Sequence, residues 1–179
     1  MISWQPTLRE VLEGTLAAEA CGRDFYRDMA GCFAHQPTVE AMWREMMLDE
    51  CSHISELTRI RGRLGAEELE GIADPTHLRS AKEVCESMTF GWQDRVGTLE
   101  DAYQIARAFE ASEINELFKL FASRYVSSDD RRRFLLTEII EHQAKLAEFD
   151  ERVGPEEWRR VVRAQWELGE GQSAEASSA

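Results

Sequence analysis

Apolar residues recur every three or four positions through most of this chain, the spacing of amphipathic helices, and no alternating strand pattern competes with it. Thr7-Leu8-Arg9-Glu10 has the form of a capping box, in which a hydroxyl and a carboxylate satisfy the first free amides of a helix. The helix it opens runs to about Phe33, with Leu8, Leu12, Leu16, Tyr26, Ala30 and Phe33 among its apolar positions. Only His35-Gln36 intervenes before a second helix starts at Pro37, carries Val39, Trp43, Met46, Leu57, Ile60 and Leu64, and stops at Gly65. So short a connection predicts an antiparallel hairpin.

A second pair repeats the plan. Thr98-Leu99-Glu100-Asp101 opens a third helix that runs unbroken to about Tyr125, Val126-Ser127-Ser128 turns the chain, and a fourth helix runs from Asp129 to about Val153 before Gly154-Pro155. Between the pairs, residues 65–97 hold Gly65, Gly71, Asp74-Pro75, Gly91 and Gly97, and predict a long crossover with one short helix through Leu78, Ala81, Cys85 and Met88. A fifth helix from Pro155 to about Leu168, with Trp158, Val162 and Trp166, is expected outside the bundle or against a second subunit. The pattern therefore predicts an all-α four-helix bundle of two antiparallel hairpins joined by a crossover, one domain over residues 1–168, with a disordered polar tail at 169–179.

The two hairpins align with each other. Thr7 and Thr98 each stand 12 residues before an acidic residue on the apolar stripe, Glu19 and Glu110. His53 lies 34 residues past Glu19 and His142 lies 32 past Glu110, a difference the turn absorbs, so the chain reads as a duplicated hairpin. The stripe of the second helix runs Trp43, Met46, Glu50, His53, Leu57, Ile60, Leu64; that of the third runs Tyr103, Ala106, Glu110, Glu113, Leu117, Leu120, Ser123; that of the fourth runs Leu135, Ile139, His142, Leu146, Phe149, Val153. Each seam turns polar at one level.

Four carboxylates (Glu19, Glu50, Glu110, Glu113) and two imidazoles (His53, His142) thus converge in a core where an unpaired charge costs several kcal/mol. Bound cations are the simplest compensation, and this oxygen and nitrogen set suits two irons or manganeses and admits zinc. A lone Glu-x-x-His such as Glu50-Cys51-Ser52-His53 is common by chance on a solvated face; its position on the apolar stripe and its repeat partners argue for a metal. His35 and His77 fall in or beside loops and read as surface residues, and the tryptophans read as packing. The hydroxyl of Tyr26 either bonds a ligand carboxylate from outside the metal shell or simply packs.

With 34 acidic against 21 basic residues the formal net charge is −13, which repels phosphate backbones and anionic membranes and argues against nucleic acid as a partner. No apolar run approaches the roughly 20 residues of a membrane span. The first six residues show neither a basic nor an apolar leader, so the expected setting is cytoplasmic. Cys21, Cys32, Cys51 and Cys85 form no CxxC and read mostly as small buried hydrophobes, with Cys51 an open candidate for redox chemistry. Arg131-Arg132-Arg133 after Asp129-Asp130 reads as a solvated, partly paired surface.

At Glu19 with Phe25-Tyr26, at Leu48-Asp49-Glu50-Cys51-Ser52-His53 and at Glu110-Ala111-Ser112-Glu113, the chain resembles the rubrerythrin branch of the ferritin-like superfamily, over roughly residues 7–150. The resemblance implies a ferritin-like bundle holding two iron ions on Glu19, Glu50, His53, Glu110, Glu113 and His142. It implies reduction of peroxide or oxidation of ferrous iron, commonly by a homodimer or larger assembly. Two departures qualify it. The rubredoxin module of full-length rubrerythrins is missing, so a peroxidase would need a separate electron-donor protein. The residue three before His142 is Ile139 where the family carries a glutamate, and the role of Glu138 on the flank stays open. A metal-poor bundle serving as an interaction or structural module is the alternative.

Overall fold

A computed structural model of the chain describes residues 5–89, 92–112 and 114–153. Eight helices and no strand occur among these residues: α1 (Leu8–Cys32), α2 (Pro37–Arg63), α3 (Ala66–Leu69), α4 (Pro75–Thr89), α5 (Trp92–Arg95), α6 (Leu99–Glu110), α7 (Ile114–Tyr125) and α8 (Asp129–Arg152). The class is all-α. The expected fifth long helix and the tail lie outside the described residues.

Local chemistry fixes the helix ends. At α1 the Thr7 hydroxyl accepts from the Glu10 amide at 3.2 Å, and the Glu10 carboxylate accepts from the Thr7 amide at 2.8 Å. Thr98 and Asp101 close the same box on α6, and Ser128 caps α8. Pro37 occupies the first turn of α2, where its missing N–H costs nothing. Along α1 and α2, Phe25 meets Trp43, with ring centroids 6.2 Å apart, and Glu19 meets His53, so contacts that descend one helix ascend the other.

Two sequence expectations fail here. The crossover holds three helices, because the Gly65 amide is capped by Glu68 to start α3 and Asp74 caps Thr76 at the start of α4. Residues 6–8 and 71–73 pair like a short ribbon, Leu8 N–H to Gly71 O and Ala73 N–H to Pro6 O, both at 2.8 Å. That pairing sets the start of α4 beside the start of α1. A Cβ on Gly14 would meet Leu78 Cδ1 at 3.2 Å and Ala81 Cβ at 3.3 Å, so the glycine admits α4 at close range.

The second failure is the third helix, which breaks after Glu110. The Ser112 amide folds back onto Phe109 O at 2.9 Å, closing a tight turn, and the Ser112 hydroxyl accepts from the Ile114 amide to begin α7. The break resets the helical phase. Ile114, Leu117, Phe118, Phe121 and Ala122 are buried, whereas Leu120, expected inward, is 38% exposed and Ser123 faces solvent.

The expected stripe of α8 is buried throughout, from Leu135 and Ile139 to Phe149 and Val153. Phe25, Tyr26, Trp43, Trp92, Phe109 and Phe149 form an aromatic layer with centroid separations of 5.5–6.3 Å. Each fully buried ring contributes about 1.5–3 kcal/mol by leaving water. Phe109 lies where a Cβ on Gly22 would stand, 2.5 Å away. The polar residues of α1, α2, α6 and α8 face one another beside this layer.

Candidate metal centre

Glu19 from α1, Glu50 and His53 from α2, Glu110 from α6 and His142 from α8 are all buried, none more than 4% exposed. Helical spacing explains the α2 pair, since residues three apart share a face. Donor atoms of Glu50, His53 and His142 all lie within 4.8 Å of one another, and such a group could hold a metal ion. His53 Nδ1 stands 3.3 Å from Glu50 Oε2 and 3.4 Å from Glu19 Oε2. His142 Nδ1 stands 3.4 Å from Glu110 Oε2 and 3.9 Å from Glu50 Oε1. Glu113, expected inward, falls at the helix break and lies outside the described residues.

The protons of this cluster do the work of missing positive charge. Burial and the neighbouring Glu19 carboxylate push Glu50 well above the carboxylate range. Burial pushes Glu19 the same way, but the hydrogen bond from Glu50 and the charge of His53 outweigh it and hold Glu19 below its ordinary value. Burial alone would neutralise His53; the two glutamates overcome it and hold the ring as a cation. His142 receives no such help, and burial followed by the repulsion of His53 and Lys145 carries it down to about 3.

Glu110 is held by three amide and hydroxyl donors gathered at the helix break. Tyr26 Oη donates to Glu110 Oε1 at 2.6 Å, Asn115 Nδ2 donates to the Glu110 backbone carbonyl at 2.7 Å, and Gln143 Nε2 donates to the same carbonyl at 3.0 Å. Asn115 also reaches Glu110 Oε2 at 3.2 Å. Burial nevertheless raises Glu110 to about 7 against the hydrogen bonds of Tyr26 and Asn115. A cavity of about 490 Å³, lined by Tyr103, Arg107, Gln143 and Leu146, opens onto Glu110.

Several buried atoms of the cluster have no hydrogen-bond partner: Glu19 Oε1, His53 Nε2 and both ring nitrogens of His142. Orphaned donors and acceptors in a core cost about 1–3 kcal/mol each, and coordination of a cation satisfies them. The donor set therefore fits a divalent metal with mixed oxygen and nitrogen ligands. Glu138 joins this group: its Oε2 is buried without a partner, and burial raises its carboxyl while the charge of His53 pulls it back.

Sequence reasoning overlooked four polar contacts, made by Asp49 and Glu56. Asp49 pairs with Lys145 and lies 3.9 Å from His142 Nε2, one residue off the stripe that was read. Glu56 is 1% exposed and is clamped between Arg59 and Arg131, the latter at 3.1 Å from α8. Arg131 is thus a tie between helices and not part of a merely solvated run. The signal for it was weak, because Glu56 neighbours Leu57 on the stripe and only its partner on a distant helix shows that it turns inward. The cysteines also depart from expectation: Cys32 is buried, Cys21 and Cys85 are half-buried and Cys51 is exposed. His35 is exposed and His77 half-buried, away from the cluster. Comparison with protein-family models, with curated proteins and with solved structures finds no match to this chain.

Proposed function

We propose that the protein is a di-metal carboxylate protein of the rubrerythrin-like kind, an oxidoreductase that reduces peroxide or oxidises ferrous iron. One observation carries the reading: buried donors of Glu50, His53 and His142 converge within 4.8 Å while neighbouring donor atoms have no hydrogen-bond partner. Glu19, Glu50 and His53 would hold one metal; Glu110 and His142, with Glu113 or Glu138, would hold the other. The fold that serves this is a ferritin-like four-helix bundle in which the broken third helix, α6 with α7, still supplies one wall.

When bound, two irons or manganeses supply the electrons or the Lewis acidity that no side chain here provides. The chain's own groups set the rest. Tyr26 and Asn115 fix the Glu110 carboxylate, and Arg107 and Gln143 border the cavity through which a small oxidant reaches it. A peroxidase would draw electrons from a separate donor protein, and a homodimer or larger assembly in the cytoplasm fits the reading.

The metal content of protein purified without chelator from iron-supplemented medium tests this directly. About two ions per chain are expected, and metal-dependent peroxide consumption or ferrous iron oxidation should accompany them. Metal well below one ion per chain after anaerobic loading favours the second reading, a metal-poor bundle that serves as an interaction module. That reading draws on Ile139, fully buried on α8 where a ligand glutamate was expected.

A further inference from the structure

We propose that Cys21 and Cys85 form an intramolecular disulfide when the protein meets a peroxide, stapling α4 to α1. The residues are 64 apart in sequence, yet their Sγ atoms lie 2.8 Å apart, within about 0.8 Å of the covalent S–S length of about 2.05 Å. The approach is built into the packing. The ribbon between residues 6–8 and 71–73 starts α1 and α4 side by side, and Gly14 lets Leu78 and Ala81 come close. One or two turns further along both helices, Cys21 then meets Cys85, so the helices run in the same direction at this contact. Cys85 Sγ also lies 3.9 Å from Ala17 O, one turn back on α1.

Both cysteines are half-buried and open enough for a small oxidant. The other two cysteines lack this arrangement: Cys32 is buried, with its thiol pushed up to about 11 by burial and by Asp28, and Cys51 is exposed on α2. In the reaction one thiolate attacks a peroxide oxygen and breaks the O–O bond, giving a sulfenic acid and hydroxide. The second thiolate then attacks the sulfenic sulfur and expels a second hydroxide as the S–S bond forms. Two thiols and one hydrogen peroxide become one disulfide and two waters, with two electrons passing from sulfur to oxygen. The inference stands on the two thiols alone and does not depend on metal binding.

The test uses the full-length protein, reduced, freed of reductant and metal, and treated with stoichiometric hydrogen peroxide. Peptide mapping should recover a Cys21–Cys85 cross-link in the monomer, with the loss of two hydrogens from the intact mass. The thermal midpoint should rise by roughly 5–10 °C and fall back with reductant, since the bond closes a long loop in the unfolded chain. Cys21→Ser and Cys85→Ser should abolish both changes, and Cys51→Ser should keep them. Mapping of the wild-type protein decides the matter even if a variant folds poorly. Sulfenic or sulfinic adducts without the cross-link, unreacted thiols, or a cross-link through Cys51 between two chains would each overturn the proposal.

Discussion

His53 and His142 occupy matching places in the two halves of the repeat, yet they live in opposite electrostatic states. His53 lies against two carboxylates of the first half and is held as a cation. His142 lies closest to Glu110, whose carboxyl is raised to about 7, with Glu50 and Asp49 at 3.9 Å, and burial holds its ring toward the neutral form with neither nitrogen hydrogen-bonded. The first half has supplied its own counter-charge, whereas the second is organised around groups with little charge. A neutral imidazole with bare nitrogens is the form that binds a metal.

Substitution of the two histidines should give the largest contrast. In metal-free protein His53→Leu strips Glu19 of its counter-ion and should cost about 3 kcal/mol or more at neutral pH. His142→Leu removes two orphaned nitrogens and should cost less than about 1 kcal/mol. Urea denaturation of both variants in chelator measures the difference, and equal losses would break the comparison.

Acid and alkali should separate the halves further. Between the ordinary imidazole value of 6.5 and about 3, the unfolded chain takes a proton at residue 142 that the folded chain refuses. The contribution of His142 is therefore complete above pH 6.5 and is lost as pH falls through that window. His53 behaves in the opposite sense: its contribution is complete below 6.5 and is lost as pH climbs through its raised value. Stability profiles should show His142→Leu flattening the acid side and His53→Leu flattening the alkaline side.

Metal binding competes with protons for Glu50, Glu110 and His53, whose values are all raised, so affinity for ferrous or manganous ion should tighten by more than about tenfold between about pH 6 and 8, with proton release seen by calorimetry in two buffers. The smallest effect concerns Tyr26. Tyr26→Phe removes a hydrogen bond that lowers Glu110, so its carboxyl should titrate higher and the metal affinity at pH 7 should fall a few-fold, with a stability loss of about 1–2 kcal/mol.

The residues that made this comparison legible in sequence are those whose burial obeys helical phase. Glu50 and His53 on α2 and His142 on α8 sit on stripes that are buried as read, and both Thr capping boxes form. The break after Glu110 escaped notice because neither Pro nor Gly marks it; Ala111 and Ser112 are neutral in helices, and the turn is decided by Asn115 and Gln143 bonding the Glu110 carbonyl. Phe118 and Phe121 consequently face inward on a rotated stripe. Glu56 with Arg131 and Cys21 with Cys85 escaped for another reason: each is a contact between distant segments, and periodicity within one helix carries no record of its partner.

Gly22 limits how far the two halves can be made alike. It stands three residues after Glu19, as Glu113 stands three after Glu110, so the two positions correspond when the hairpins are aligned. Phe109 now fills the space that any side chain at position 22 would need, with its ring atoms 2.5–2.6 Å from a Cβ placed there. Restoring a carboxylate to the first half would require the ring to vacate the aromatic layer at the same time. With Phe109 over the glycine, no single substitution at position 22 can make the two halves alike.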